Sequence, residues 1–216
     1  MNFKAVIFDM DGVIFDSERL VLEGWLALGK KYGIPDIDKV FPKCIGVNAV
    51  ASKQIFLDFY GEDFPYDIYK QETSADYHEK YDGGRLPMKP GIKELLQFLQ
   101  ENGYHIGLAS STRYEVVRQQ LDDAGILYYF ETLICGDMVK KSKPEPDIFL
   151  KAAETLGVEP ENCIVIEDSY NGIRAASRAG MFPIMVPDMI APDMEMKQLA
   201  KEILCNLSEV RVFLSK

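Results

Sequence analysis

Cysteine, histidine and basic residues are scarce in this chain, and each scarcity excludes something. The four cysteines, Cys44, Cys135, Cys163 and Cys205, are scattered without a Cys-x-x-Cys spacing, which argues against a zinc site or redox dithiol and suits a reduced compartment. Two of them lie in apolar strand-like runs, where cysteine behaves as a small hydrophobe. There are two histidines, His78 and His105, too few for an imidazole ligand set; they read as surface and structural residues. Lysine and arginine number 24 against 34 aspartates and glutamates, a formal net charge of −10 that repels nucleic-acid phosphates and anionic lipid. No apolar run approaches the roughly 20 residues of a membrane helix, and no basic stretch leads into a secretory apolar segment. The expectation is a cytoplasmic monomer without nucleic-acid or membrane partners.

What the chain does have is apolar residues in a strand-then-helix rhythm. At 216 residues and 47% hydrophobic content it can fill one core of ordinary size, with room for an insertion. The run Phe3 to Phe8, apolar apart from Lys4, predicts a parallel strand buried on both faces. From residue 85 onward, strands alternate with helices punctuated by Pro90, Gly103, Gly125 and Gly157, the pattern of a parallel sheet covered by helices. Pro183 to Val186 reads as a further strand, and Val210, Phe213 and Leu214 after Ser208 as a short capped helix. The stretch between Gly12 and the strand at residue 104 is too long for an ordinary connection. Residues 17–82 within it are helix-like, with apolar Leu20, Leu22, Trp25, Leu26 and Leu28, then Val50, Ile55, Phe56 and Phe59. The fold class expected is therefore α/β: a doubly wound, Rossmann-like parallel-sheet core (1–16 and 83–216) with an inserted α-helical cap (17–82). The connections at Asp16-Ser17 and Asp82-Gly83-Gly84-Arg85 would form its hinge.

Four polar clusters stand just after predicted strands: Asp9-Met10-Asp11-Gly12-Val13, Ser110-Ser111-Thr112, Ser142-Lys143-Pro144 and Glu167-Asp168. Ligands bind at the carboxyl ends of such strands. Singly, each cluster also fits a local role: an Asp-Gly turn, a helix cap, a surface lysine or a helix start. Jointly, after four strands of one sheet, they point to one catalytic cleft.

These residues, together with Lys143 in Ser-Lys-Pro-Glu-Pro-Asp and Glu167-Asp168-Ser169 before Asn171-Gly172-Ile173, resemble the haloacid-dehalogenase-like superfamily, and within it the β-phosphoglucomutase-like subgroup. The resemblance covers essentially the whole chain and implies bound Mg²⁺ and an aspartyl-phosphate intermediate. It implies Asp9 as nucleophile, Asp11 as general acid and base, Ser110 and Lys143 as holders of the phosphoryl group, and Asp9, Asp11, Glu167 and Asp168 as the metal set. Physics supports the cation, because carboxylates gathered in one cleft repel by roughly 4 kcal/mol per close pair at an effective dielectric of 20. An all-oxygen set beside phosphate favours Mg²⁺. Gly46, Val47 and Asn48 in the cap, with Ser111, are the expected substrate contacts. In the subgroup's mutases an arginine in that cap segment takes the non-transferring phosphate; here the position is Ala49, with Lys43 and Lys53 as candidate substitutes. The activity expected is thus hydrolysis of a small phosphorylated metabolite, of the sugar-phosphate kind. A sugar-phosphate mutase and a non-catalytic phosphometabolite sensor are the alternatives.

Overall fold

In the computed structural model, which describes residues 3–216, strand β1 (Ala5–Phe8) is wholly buried and its side chains alternate between two apolar layers. Val6 and Phe8 face a layer shared with α5 (Ile92–Glu101), α6 (Tyr114–Asp123) and α10 (Leu207–Leu214). Ala5 and Ile7 face the other, shared with α7 (Asp147–Leu156) and α8 (Tyr170–Arg178). The remaining strands are β2 (His105–Ser110), β3 (Thr132–Cys135), β4 (Cys163–Glu167), β5 (Phe182–Met185) and β6 (Glu202–Ile203). All pair in parallel in the order β3-β2-β1-β4-β5-β6. The order reverses between β1 and β4, where a doubly wound sheet opens a crevice at its carboxyl edge.

The expected insertion is present as α1 (Ser17–Tyr32), α2 (Ile37–Val40), α3 (Ala49–Tyr60) and α4 (Tyr66–Tyr81). These helices carry their own apolar cluster, centred on Trp25, whose ring lies 4.5 Å from that of Phe56 and 5.7 Å from that of Tyr66. Met189 and Ile190, from the loop after β5, pack against the same cluster. The two chain crossings run side by side: the Asp16 amide donates to the Pro87 carbonyl (2.9 Å) and the Lys89 amide to the Ile14 carbonyl (2.8 Å). Gly83 and Gly84 both take positive φ (69° and 80°). Gly83 donates its amide to Asp123 at the end of α6, and a Cβ on Gly84 would meet the Asp123 carbonyl at 2.8 Å.

Several local expectations shift. Helix α10 is capped by Asn206, whose side chain accepts from the Glu209 amide, rather than by Ser208. Helix α9 (Met194–Leu199), six residues long, and strand β6, two residues long, are too short for a periodic pattern to announce them. Leu26 is 41% exposed and lies outside the cap's apolar cluster. Gly103, Gly125 and Gly157 take the expected left-handed conformation after their helices.

Candidate active site

The β1 strand delivers Asp9 to the crevice and β4 delivers Glu167 and Asp168 beside it, because parallel pairing sets Phe8 opposite Ile166. Carboxylate oxygens of Asp9, Glu167 and Asp168 lie within 4.8 Å of one another, and all three residues are buried. Lys143 reaches in from the loop after β3. Its Nζ donates to Asp9 Oδ1 (2.5 Å), Glu167 Oε1 (2.8 Å) and the Ala109 carbonyl (3.1 Å). The second Glu167 oxygen accepts from the Asp168 amide (2.9 Å), the Ser169 amide (2.8 Å) and the Ser169 hydroxyl (2.9 Å). Glu167 is therefore fully engaged by protein donors, whereas no hydrogen bond from protein to the Asp168 carboxylate is present among the described residues.

Two glycines make this density possible. A Cβ on Gly172 would lie 1.6 Å from Glu167 Oε1, and one on Gly12 would lie 2.3 Å from Asp168 Oδ2. Only a residue without a side chain lets these carboxylates approach the α8 start and the β1 loop.

Electrostatically the cluster is short of positive charge. Burial pushes the Asp9 carboxyl up to about 8, with Lys143 opposing and Glu167 and Asp11 adding to the rise. Burial, then Glu167 and Asp9, lifts Asp168 well above the carboxylate range. Burial also works against the Lys143 ammonium, but Asp9 and Glu167 outweigh it and hold its pKa above the ordinary lysine value. Three carboxylates against one ammonium fit a site built to take an additional cation, and the donors are all oxygen, the chemistry of Mg²⁺.

Asp11 points away from this cluster. Its Oδ1 accepts from the Ser17 hydroxyl (2.6 Å) at the start of α1, and its Oδ2 from the Thr112 hydroxyl (3.1 Å) after β2. It lines a cavity of about 230 Å³ between the cap and α6, with Ser17, Lys70, Thr73, Tyr77 and Thr112 among the other walls. Ser110 is wholly buried at the end of β2, and its hydroxyl accepts from the Thr112 amide (3.1 Å) rather than capping α6. Ser111 packs its main chain against Gly136, where a Cβ would lie 2.3 Å from the Ser111 carbonyl.

On the cap side, Gly46 sits against Ser169, whose hydroxyl a Cβ would meet at 2.4 Å. Asn48 donates to the Ser142 hydroxyl (2.9 Å) and caps α3 through the Ala51 amide. Val47 packs on the cap's own apolar cluster. Lys43 lies over the Phe59 ring and Lys53 pairs with Asp67, both on the cap itself. Sequence reasoning assigned no part in the site to Glu18 or Lys70, and it placed Ser17 only in the hinge and Thr112 only in the cluster after β2. Burial pushes Glu18 up to about 8, with Asp11 and Asp9 adding to the rise and the Gly46 amide opposing. For Glu18 the only signal was its place one residue past the expected hinge.

A doubly wound sheet with an aspartate pair after its first strand, a lysine after its third and an acidic pair after its fourth defines a recognisable class. The family model of haloacid dehalogenase-like hydrolases matches residues 3–180, and the chain belongs to that family. It is 32% identical over 178 residues to the phosphorylated carbohydrates phosphatase of Thermotoga maritima, covering 82% of each chain. It is 34% identical over 206 residues to the beta-phosphoglucomutase of Bacillus subtilis, covering 90% of this chain and 89% of the relative. Among solved structures, a putative beta-phosphoglucomutase from Thermotoga maritima superposes over 99% of both chains with a TM-score of 0.78 and 28% identity.

Proposed function

We propose that the protein is a Mg²⁺-dependent phosphatase that removes phosphate from a small phosphorylated metabolite of the sugar-phosphate kind through an aspartyl-phosphate on Asp9. The observation that carries the reading is the division of labour between the two aspartates. Asp9 is held by Lys143 among buried carboxylates, while Asp11 is turned by Ser17 and Thr112 toward the cavity. In this reading residues 17–82 are the cap and residues 1–16 with 83–216 the catalytic core.

In the first half-reaction an Asp9 oxygen attacks phosphorus, the bond from phosphorus to the leaving oxygen breaks, and Asp11 delivers its proton to that oxygen. In the second, water attacks phosphorus, gives its proton to Asp11, and the Asp9–phosphorus bond breaks to release inorganic phosphate. Ser110 and Lys143 hold the phosphoryl oxygens, and the lysine offsets charge that develops there. Asp9, Asp168 and the Asp11 carbonyl would hold Mg²⁺, with Glu167 serving mainly to fix Lys143. The cation supplies charge neutralisation that lets a phosphate dianion approach a carboxylate.

The similarity to a beta-phosphoglucomutase favours a second reading, in which a sugar hydroxyl replaces water in the second step. The absence of an arginine at Ala49, with Lys43 and Lys53 turned onto the cap, leaves the segment around Gly46 without the mutases' bidentate phosphate contact and weighs against it, since a lysine elsewhere in the cap offers only a point charge. The deciding experiment measures phosphate release with and without Mg²⁺ from a sugar-phosphate panel, with a parallel coupled assay for glucose 6-phosphate formed from β-glucose 1-phosphate. Inorganic phosphate without isomerisation is expected; isomerisation dependent on a bisphosphate primer would overturn the phosphatase reading.

A further inference from the structure

Helix α4 turns a mixed face toward the core: Tyr77 and Tyr81 pack on the sheet's apolar cluster, while Lys70, Thr73 and Ser74, with Tyr77 at i, i+3, i+4 and i+7, line the cavity shared with Asp11. A polar stripe on an inward face needs polar partners. Thr73 returns its hydroxyl to the Lys70 carbonyl (3.1 Å). The Lys70 ammonium has no such outlet: among the described residues it forms no salt bridge and no hydrogen bond to protein.

We propose that Lys70 is the specificity-determining cation of the cap, and that it binds an anionic oxygen group, a carboxylate or a second phosphate, carried by the leaving part of the substrate. The inference rests on the phosphatase reading of the site and names its substrate class. The position follows from the walls of the cavity. Asp11, which delivers the proton to the leaving oxygen, stands on the core wall and Lys70 on the cap wall, so the leaving part of the substrate lies between them. The cavity is open on one side, and its volume of about 230 Å³ suits a short carbon chain or a single sugar. The charge follows from the lysine's surroundings. Burial lowers its pKa, and Glu18 and Asp11 offset this only at a distance. A half-buried ammonium without a contacting anion is costly to hold, and a ligand anion removes that cost. The other basic groups near the cavity are taken or peripheral: His78 pairs with Asp82 (3.0 Å), and Lys80 is exposed at the rim.

The test compares kcat/KM of the wild-type protein and of Lys70→Met and Lys70→Arg on three matched esters. These are sorbitol 6-phosphate, with a neutral leaving part, 6-phosphogluconate, with a carboxylate, and glucitol 1,6-bisphosphate, with a second phosphate. Binding of the same three to Asp9→Asn protein, with and without Lys70→Met, is read by calorimetry, where turnover plays no part. The wild type is expected to prefer one of the two anionic esters over sorbitol 6-phosphate by tenfold or more. Lys70→Met should erase that preference by about 10- to 100-fold, the worth of one charge-assisted contact, and Lys70→Arg should restore part of it. Which anionic ester leads distinguishes carboxylate from phosphate. A wild-type preference for the neutral ester, or a Lys70→Met loss equal across all three, overturns the proposal while leaving the phosphatase reading intact. Selective, Lys70-dependent binding without phosphate release from any ester overturns the phosphatase reading and leaves the anion site standing; no selective binding overturns the anion site.

Discussion

The carboxylate cluster at the sheet edge and the cavity under the cap share Asp11 but are built by different means. At the sheet edge every position is dictated by backbone: strand ends set Asp9 and Glu167 side by side, main-chain amides hold Glu167, and Gly12 and Gly172 leave the space the carboxylates fill. Under the cap, the walls come from side chains of α1 and α4, helices tied together by the aromatic cluster around Trp25, and of α6, which packs on the sheet. The first arrangement tolerates almost no change in shape, which suits a reaction whose catalysis is mostly positioning and electrostatics. The second can vary one side chain at a time, which suits the choice of leaving group. Ser17 joins the two regions, since it begins α1 and donates to Asp11. Seating of the cap and orientation of Asp11, the proposed general acid, are thereby linked.

That contrast can be broken most forcefully at Lys143. Lys143→Met leaves Asp9 and Glu167 buried without their cation, so we expect a loss of about 3–5 kcal/mol in chemical denaturation and phosphate release lowered by at least about 100-fold. A variant as stable and active as the wild type would mean that the lysine is not the cluster's counter-charge. Next is Gly172→Ala, whose Cβ must displace Glu167 and with it Lys143; kcat should fall by about 100-fold, with little change in KM. Addition of Mg²⁺ at about 100 times its dissociation constant should raise stability by about 2.7 kcal/mol. A melting temperature indifferent to both Mg²⁺ and EDTA would contradict a cation site at Asp9 and Asp168.

The smallest effect sharpens the cap side. Glu18 is raised from 4.5 to about 8, chiefly by burial. The folded protein therefore keeps a proton that the unfolded chain has released across this window, and stability falls as pH rises from about 4.5 to about 8. Glu18→Gln should flatten part of that slope in metal-free protein, read as urea midpoints near about pH 5 and about pH 8. An unchanged slope would place the Glu18 carboxyl in solvent.

The same contrast explains what could be read from the chain. Asp9, Asp11, Ser110, Lys143 and Glu167-Asp168 are legible because each follows a run whose apolar pattern announces a strand, and strand ends share an edge. The cap helices are legible as helices, and the segment from Gly46 to Asn48 does meet the core at Ser169 and Ser142. Lys70 is not legible, because α4 shows no strong apolar stripe from which its facing could be judged, and nothing in a sequence says which of several lysines turns inward. Lys43 and Lys53 looked equally suitable until the fold set one over Phe59 and the other against Asp67. The full engagement of Glu167 depends on the turn at Asp168 and Ser169, a feature of backbone path rather than of residue type.

Whether Asp9 carries the phosphoryl group is tested by peptide mapping by mass spectrometry after rapid acid quench of the enzyme turning over its best ester with Mg²⁺. A phosphoryl adduct on Asp9 is expected to appear within one turnover, to decay as substrate is exhausted, and to be absent from Asp9→Asn protein, which releases no phosphate. Turnover by Asp9→Asn protein, or an adduct on a residue other than Asp9, would contradict that role of Asp9.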